Sequence, residues 1–356
     1  MKILITGGSG FIGTNLIRHL VAETEHRVLN LDKLSYAANP HSLADLTAHP
    51  RYQFAQTDLA APNATEALAA HFANFQPDWI IHLAAETHVD RSIDAPAAFI
   101  ESNVGGTFAL LQAARAHFEQ LSGEARDRFR FLHVSTDEVY GSLALDAPAV
   151  SETAPYSPRS PYSASKAAAD HLARAWAHTY GLPVIVSTCS NNYGPYQFPE
   201  KLIPLALLKA LRGEPIPLYG TGENRRDWLY VADHVDALLR ILARGQVGQT
   251  YHIGSGSDFP NLALIHQLCA LLDELRPRTD RQPYAAQIHF VADRPGHDLR
   301  YALNASKLRH ELGWTPRHDL ASGLRKTVHW YLENTAWWQP LLERGDALRR
   351  LGISPN

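Results

Sequence analysis

Lys2-Ile3-Leu4-Ile5-Thr6-Gly7-Gly8-Ser9-Gly10-Phe11-Ile12-Gly13 opens the chain with an apolar strand that runs straight into a glycine-rich turn. Phe11, Ile12, Leu16, Ile17 and Leu20 then recur at helical spacing, so Phe11 to Val21 reads as a helix. A turn of this kind has a mechanical reading. One glycine makes the tight bend, Gly10 lets the backbone approach a pyrophosphate, and Gly13 lets the helix pack closely so that its amides face the anion. A glycine-rich turn is a weak signal by itself. Here it follows a strand that begins at residue 2, and Asp32 ends the next strand, Val28 to Leu31, which makes it a dinucleotide site. A carboxylate at Asp32 accepts from ribose hydroxyls and repels a 2′-phosphate, which favours NAD, although Lys33 leaves NADP open. Asp58-Leu59, after a short third strand, is placed for an adenine edge.

The alternation continues outward from this unit. Trp79 to Leu83, Phe131 to Val134 and Val184 to Thr188 read as strands, with helices at Ala64–Phe75, Asn103–Leu121 and Tyr162–Tyr180 between them. Apolar strands separated by helices imply a parallel sheet covered on both faces. The expected fold class is α/β: a Rossmann-type doubly wound parallel sheet with a smaller, mostly C-terminal α/β substrate domain. Residues 1–190 form the first domain and 191–356 the second. The boundary is soft, since Trp228–Arg244 as a helix and Thr250–Gly254 as a strand make 225–255 a candidate to return to the first sheet.

Bulk composition removes other classes. Hydrophobic residues make up 45% and charged residues 19%, so global disorder is excluded. A net charge of −3 with no basic arm leaves nucleic acid without an electrostatic footprint. Cys189 and Cys269 are too few for a disulfide framework and fit a reducing compartment. No signal peptide and no window of ~18 apolar residues is seen, so a soluble cytoplasmic protein is expected. No metal site is expected: the histidines form no HExxH motif, and His82 and His88 lack cysteine companions.

Tyr162-Ser163-Ala164-Ser165-Lys166 puts a phenol and an ammonium on one helix face at i and i+4. The ammonium is expected to favour the phenolate that a neutral-pH base requires. Ser135-Thr136 ends a strand, where a hydroxyl can hold a reacting alcohol, and Asp137-Glu138 follows directly.

Together these residues resemble the extended short-chain dehydrogenase/reductases that act on nucleotide sugars, and within them the 4,6-dehydratases, which the Asp137-Glu138 pair marks. The likeness tightens at His82-Leu83-Ala84-Ala85-Glu86-Thr87-His88-Val89-Asp90-Arg91-Ser92, Asn191-Asn192-Tyr193-Gly194-Pro195 and Lys201-Leu202-Ile203-Pro204. Arg226-Asp227-Trp228-Leu229 and Asp293-Arg294-Pro295-Gly296-His297-Asp298 extend it, and it runs to about Thr335. Three features depart from the family pattern: the short Ser142–Ser157 loop, Arg159 and Ala38. They bear on the active-site lid and the adenosine rim.

The resemblance implies oxidation of a sugar C4 hydroxyl with NAD, loss of water across C5 and C6, and return of hydride to C6. Such an elimination asks for one ionised and one protonated carboxyl, whose mutual repulsion separates their proton affinities. By resemblance Glu138 is the C5 base and Asp137 the acid at C6. Tyr162 takes the C4 hydroxyl proton, Lys166 supports it and holds the nicotinamide ribose, and Thr136 binds the C4 oxygen. On the NAD side it adds Ser35, Leu83, Ala85, Thr87, Asn103 and Asn192 to Gly7, Gly10, Phe11, Ile12, Gly13, Asp32, Lys33, Asp58 and Leu59. On the substrate side it places Thr87, Asn191, Lys201, Leu202, Pro217, Tyr219, Asn261 and the Asp293-Arg294-Pro295-Gly296-His297 loop, with Arg226 as diphosphate clamp. It implies dTDP-glucose as the substrate, the base resting on likeness alone, and a homodimer through the 103–121 and 162–180 helices. Leu110, Leu111, Ala114 and Phe118 give the first of these an apolar stripe that suits an interface or a core equally. A dehydratase or 4-epimerase of a UDP-, CDP- or GDP-linked sugar is the near alternative. A non-catalytic NAD-binding sensor is the distant one.

Overall fold

The inner strands of the first half are buried on both faces, as a parallel sheet sandwiched between helices requires, while the edge strand Tyr52–Gln56 is largely exposed. The computed structural model describes residues 1–293 and 296–343. Strands β1 (Lys2–Thr6), β2 (Arg27–Asp32), β3 (Tyr52–Gln56), β4 (Trp79–His82), β5 (Arg130–Thr136) and β6 (Val184–Cys189) alternate with helices. Beyond them come β7 (Asn191–Tyr193), β8 (Ile216–Tyr219), β9 (Arg225–Tyr230), β10 (Thr250–Ile253), β11 (Asp258–Pro260) and β12 (Ile288–Val291).

Seven strands form one sheet in the order β10-β6-β5-β4-β1-β2-β3, with every pair parallel. The order reverses between β1 and β4, so the loops after those strands diverge and leave a crevice at their carboxyl ends. The doubly wound sheet is therefore as expected. A three-stranded sheet, β11-β9-β7, and a parallel pair, β8 and β12, form separately, with Asn191 and Asn192 of β7 reaching the cleft. Their core joins helices Leu202–Leu211, Asn261–Leu275 and Leu320–Glu333 through Leu207, Leu208, Ile265, Leu268, Val328 and Tyr331.

The sequence reading errs at the start of one helix. Trp228, Leu229 and Tyr230 lie in β9, and the helix begins only at Val231. These residues are buried on both faces and pair with β7, where bulky aromatic side chains suit a pleated surface, while Arg225–Asp227 of the same strand pair with β11. A second difference concerns residues 100–105. The chain forms a π-helical turn there, Ile100–Gly105, before the regular Gly106–Gln120 helix. The apolar stripe on that helix faces the core: Leu110, Leu111 and Ala114 are fully buried and Phe118 nearly so.

Helix Pro161–Tyr180 has firm ends. Ser160 and Ser163 cap each other's backbone, Pro161 takes the first helical position, and Gly181 closes the last turn at φ +66°. Its inner face packs on β5 and β6 beside Phe131, Val184 and Val186. Phe131, at the centre of the sheet, is fully buried. Phe131→Ala is expected to cost about 3–5 kcal/mol of folding free energy, measured by denaturant unfolding with an unchanged m-value; a loss below ~1 kcal/mol would show that the sheet centre relaxes around the cavity.

Candidate active site

The glycine turn is shaped by backbone contacts. Gly7 sits at φ +73°, and a Cβ there would lie 2.7 Å from the Ala84 backbone beyond β4. A Cβ on Gly13 would lie 2.4 Å from the Gly7 carbonyl oxygen. Gly10 differs: its Cβ would meet only that carbonyl, at 3.4 Å, and otherwise point into the cleft. The turn thus presents bare backbone at the start of the Phe11–Glu23 helix, where an anion is favoured.

Asp32 is nearly buried at the end of β2. Its Oδ2 accepts from the Ser9 amide at 2.9 Å and its Oδ1 from the Leu34 amide at 2.8 Å. Burial pushes its carboxyl above the usual range, against those two amides and Lys33. Lys33 is itself ion-paired with Glu86 at 2.7 Å and donates to Ser102 at 3.2 Å. Its charge is spent within the protein, which argues against a 2′-phosphate. Phe11, Ile12, Ser35, Asp58, Leu59, Leu83, Ala85 and Thr87 line the same cleft. Asn103 does not. From the π-helical turn its Oδ1 accepts from the Glu86 amide at 2.7 Å, while its Nδ2 donates to the Glu86 carbonyl at 3.0 Å and Ser165 at 2.9 Å. It braces the cleft wall from behind.

The cleft runs on to the carboxyl end of β5. Thr136 caps the short 3₁₀ turn Asp137–Tyr140, its hydroxyl accepting from the Glu138 amide at 3.4 Å. Gly141 ends that turn at φ +75°, where a Cβ would lie 2.2 Å from the Ser157 carbonyl oxygen. Asp137 is buried, and its Oδ2 has no hydrogen-bond partner among the described residues. Burial and then the neighbouring Glu138 carboxylate push its carboxyl well above the usual range, with Arg226 opposing. Burial and a neighbouring carboxylate both favour the protonated form of such a group. The structure therefore separates the two adjacent acids by environment.

Tyr162 and Lys166 reach the same cleft from helix Pro161–Tyr180. The Lys166 Nζ donates to the Val134 carbonyl at 2.9 Å. Burial and the Glu138 carboxylate raise the Tyr162 phenol well above its ordinary value, and the principal opposing group is the Thr136 hydroxyl.

Of the residues expected at the sugar nucleotide, Asn191 and Lys201 line the cleft, as does Asn192 from the cofactor side, and the Lys201 Nζ donates to the Thr87 carbonyl at 3.0 Å. Leu202 opens the helix that follows. Arg226, on β9, lies over the Tyr301 ring at 4.2 Å and donates to the Asp298 carbonyl at 2.9 Å. Pro217 and Tyr219 lie on β8, and the Tyr219 hydroxyl donates to Asp90 at 3.0 Å. The Tyr219 ring packs edge-on against His297, whose Nδ1 is 2.6 Å from Asp293. Gly296, at φ +66°, makes the bend of that loop; Arg294 and Pro295 lie outside the described residues. Asn261 begins the Asn261–Leu275 helix, buried, with an Oδ1 that finds no partner among the described residues. The Ser142–Ser157 loop is stitched to 299–304 by Leu143, Val150 and Asn304 backbone bonds.

Some wall residues escaped the sequence reading. Cys189, Gln197, Phe198 and Glu200 line the cleft, beside Ser135 at the end of β5. Glu200 accepts from the Tyr36 hydroxyl at 3.0 Å and lies 3.6 Å from both His88 and Arg91. Its position directly before Lys201 was the available signal. The His82 ring lies between the Thr6 and Thr107 hydroxyls, and burial favours its neutral form.

Comparison with known proteins agrees with this geometry. The family model described as GDP-mannose 4,6 dehydratase matches residues 4–327. The dTDP-glucose 4,6-dehydratase of Neisseria meningitidis serogroup B is 52% identical over 353 residues, covering 99% of each chain. The Escherichia coli K12 protein named dTDP-glucose 4,6-dehydratase 1 is 53% identical over 346 residues, 95% of this chain and 94% of that one. A Streptomyces venezuelae dTDP-glucose 4,6-dehydratase structure with NAD bound superposes with a TM-score of 0.85 at 44% identity, covering 96% of this chain and 100% of that one. The chain belongs to the nucleotide-sugar 4,6-dehydratase family, on the branch of the dTDP-glucose 4,6-dehydratases.

Proposed function

We propose that the chain converts dTDP-glucose to dTDP-4-keto-6-deoxy-glucose as an NAD-dependent hydro-lyase. One observation carries the reading: Asp137, a carboxyl whose burial favours its protonated form, and the less enclosed Glu138 beside it share a cleft with Tyr162, Lys166 and the glycine turn. NAD fits the bare backbone before Gly10 and the carboxylate of Asp32, and when bound it supplies the hydride acceptor and donor.

The chain's own residues then divide the proton transfers. Thr136 holds the sugar C4 oxygen while Tyr162 takes its proton. With C4 oxidised, the proton on C5 is acidic enough for Glu138 to remove. Asp137 protonates the C6 hydroxyl, which leaves as water. Lys166 is the buried cation nearest the phenol along the helix. Arg226, Asn191, Lys201, Tyr219, Asn261 and the 293–297 loop bind the nucleotide diphosphate. The relatives' names support the dTDP handle.

The reading extends to assembly and place. A homodimer through helices Gly106–Gln120 and Pro161–Tyr180 is supported by an outer face bearing exposed Phe108 and Tyr180 around Trp176. No helix among the described residues is long and apolar enough to cross a membrane, which accords with a cytoplasmic enzyme.

Given dTDP-glucose and UDP-glucose side by side, the protein is expected to form the 4-keto-6-deoxy product far faster from dTDP-glucose. Glu138→Gln should lose that product by at least ~100-fold while still oxidising C4. Normal product release from the variant would remove Glu138 from the elimination, and a preference for UDP-glucose would overturn the base assignment.

Asp137 gives a second test through stability. Its folded carboxyl holds a proton to higher pH than the unfolded chain does, so folding stability falls as pH rises between those two values. Asp137→Asn should therefore melt above the parent at pH 8, with the gap closing below about pH 4, while elimination is lost. A variant less stable than the parent across that range would show Asp137 to be ionised. Sedimentation velocity is expected to give twice the chain mass; a monomer at micromolar concentration would rule out the dimer.

A further inference from the structure

The groups that act in the proposed reaction reach the cleft on two separate elements. Thr136, Asp137 and Glu138 come from the end of β5, whereas Tyr162 and Lys166 come from helix Pro161–Tyr180. One fully buried carboxylate joins the two. Asp170 lies one turn beyond Lys166 on the helix. Its Oδ2 accepts from the Ser135 hydroxyl at 2.7 Å and from the Tyr156 hydroxyl at 2.7 Å, and its Oδ1 lies 2.9 Å from His133 Nε2. His133 and Ser135 flank Val134 on β5, and the Val134 carbonyl takes the Lys166 ammonium. Arg174, one turn further along the helix, donates to the Tyr156 hydroxyl at 2.7 Å and so holds the loop that enters the helix.

We propose that Asp170 is a positioning residue of the dehydratase reaction. Its carboxylate locks the helix bearing Tyr162 and Lys166 to the strand bearing Thr136, Asp137 and Glu138, and supplies the counter-charge of Lys166. The proposal rests on the functional reading given above.

The surroundings of Lys166 leave this role to Asp170. Lys166 is faced by Tyr162 and Asp170 on its own helix, His133 on β5, His82 on β4 and Cys189 on β6. Burial keeps both imidazoles down and pushes the Cys189 thiol up to about 12, so none of these three carries negative charge near neutrality. Asp170 is faced by His133 and Ser135 on β5, Tyr140 in the following turn, Tyr156 before the helix, and Lys166 and Arg174 on the helix. Burial alone would raise the Asp170 carboxyl. His133, Lys166 and Ser135 outweigh it and hold the group below its ordinary value. Burial pulls the Lys166 ammonium down, and Asp170 is the first group to oppose that pull.

The test compares holoenzyme variants in the product assay across pH, with bound NAD and melting temperature read on each. Asp170→Asn removes the charge with little change in shape. Its kcat should fall at least ~10-fold with the KM for dTDP-glucose within ~3-fold, and its alkaline limb should move toward acid by about 1 unit or more. A purely structural role lowers kcat at every pH and leaves the limb in place. That outcome, or a kcat within twofold of the parent, overturns the proposal. Asp170→Glu keeps the charge but misplaces the strand contacts, and the double variant Ser135→Ala, Tyr156→Phe keeps the charge and drops two hydrogen bonds. Both should lose kcat severalfold with an unmoved limb. If Asp170→Asn does not fold, parental kcat in both of these overturns the proposal. Absence of the 4-keto-6-deoxy product from the parent enzyme, read first, would instead defeat the functional reading.

Discussion

A backbone contact with no room for a methyl group sets the geometry of the whole cleft. The Gly7 Cα faces the Ala84 backbone, and the Gly13 Cα faces the Gly7 carbonyl oxygen. These approaches draw the first helix down onto β1 and draw the loop after β4 against the glycine turn. Because the sheet order reverses between β1 and β4, the contact fixes the width of the crevice at its origin. Asp32 then ties the turn to the end of β2 through the Ser9 amide, and the π-helical turn with Asn103 sets the opposite wall. Everything further along the cleft is positioned from this corner.

The chemistry at the other end depends on how burial treats neighbouring groups differently. Asp137 and Glu138 are consecutive, yet Asp137 is enclosed while its neighbour is more open to the cleft. Desolvation penalises the charged form of whichever acid is deeper, and Coulomb repulsion from the other increases the difference. The same Glu138 acts on Tyr162, so one carboxylate raises the proton affinity of both groups. Arg226 enters this balance from β9 in the second layer. The proton affinities of the first sheet's catalytic turn therefore depend on the second layer being seated.

Local features were the legible ones. The strand, glycine turn and helix at the N-terminus, the acid ending β2, and the alternation that follows are all written within short windows, and the parallel sheet follows from them. The adjacent acids and the Tyr162–Lys166 pair can be seen in sequence, but physics alone does not distinguish them from a solvated turn and a surface pair. Their burial is what gives them a role, and burial is a tertiary property. Trp228 to Tyr230 were misread because a short run of large apolar residues fits a buried helix and a buried strand equally. Asn103 was placed against the cofactor, whereas its amide braces the chain behind the wall. Glu200 and Tyr301 were missed because their neighbours come from segments far apart in sequence.

The place of β10 at the edge of the seven-stranded sheet has a consequence for synthesis. The chain leaves the sheet after β6, builds β7 to β9 and the helix at Val231–Arg244, and only then returns with Thr250–Ile253 to cover β6. During translation the Val184-Ile185-Val186 edge is therefore exposed on the ribosome until some sixty further residues have emerged (from β6 to β10). An open, apolar parallel edge is a template for pairing with other chains. The nascent protein is accordingly most prone to misassembly in that interval, and a chaperone that shields β6 would act there.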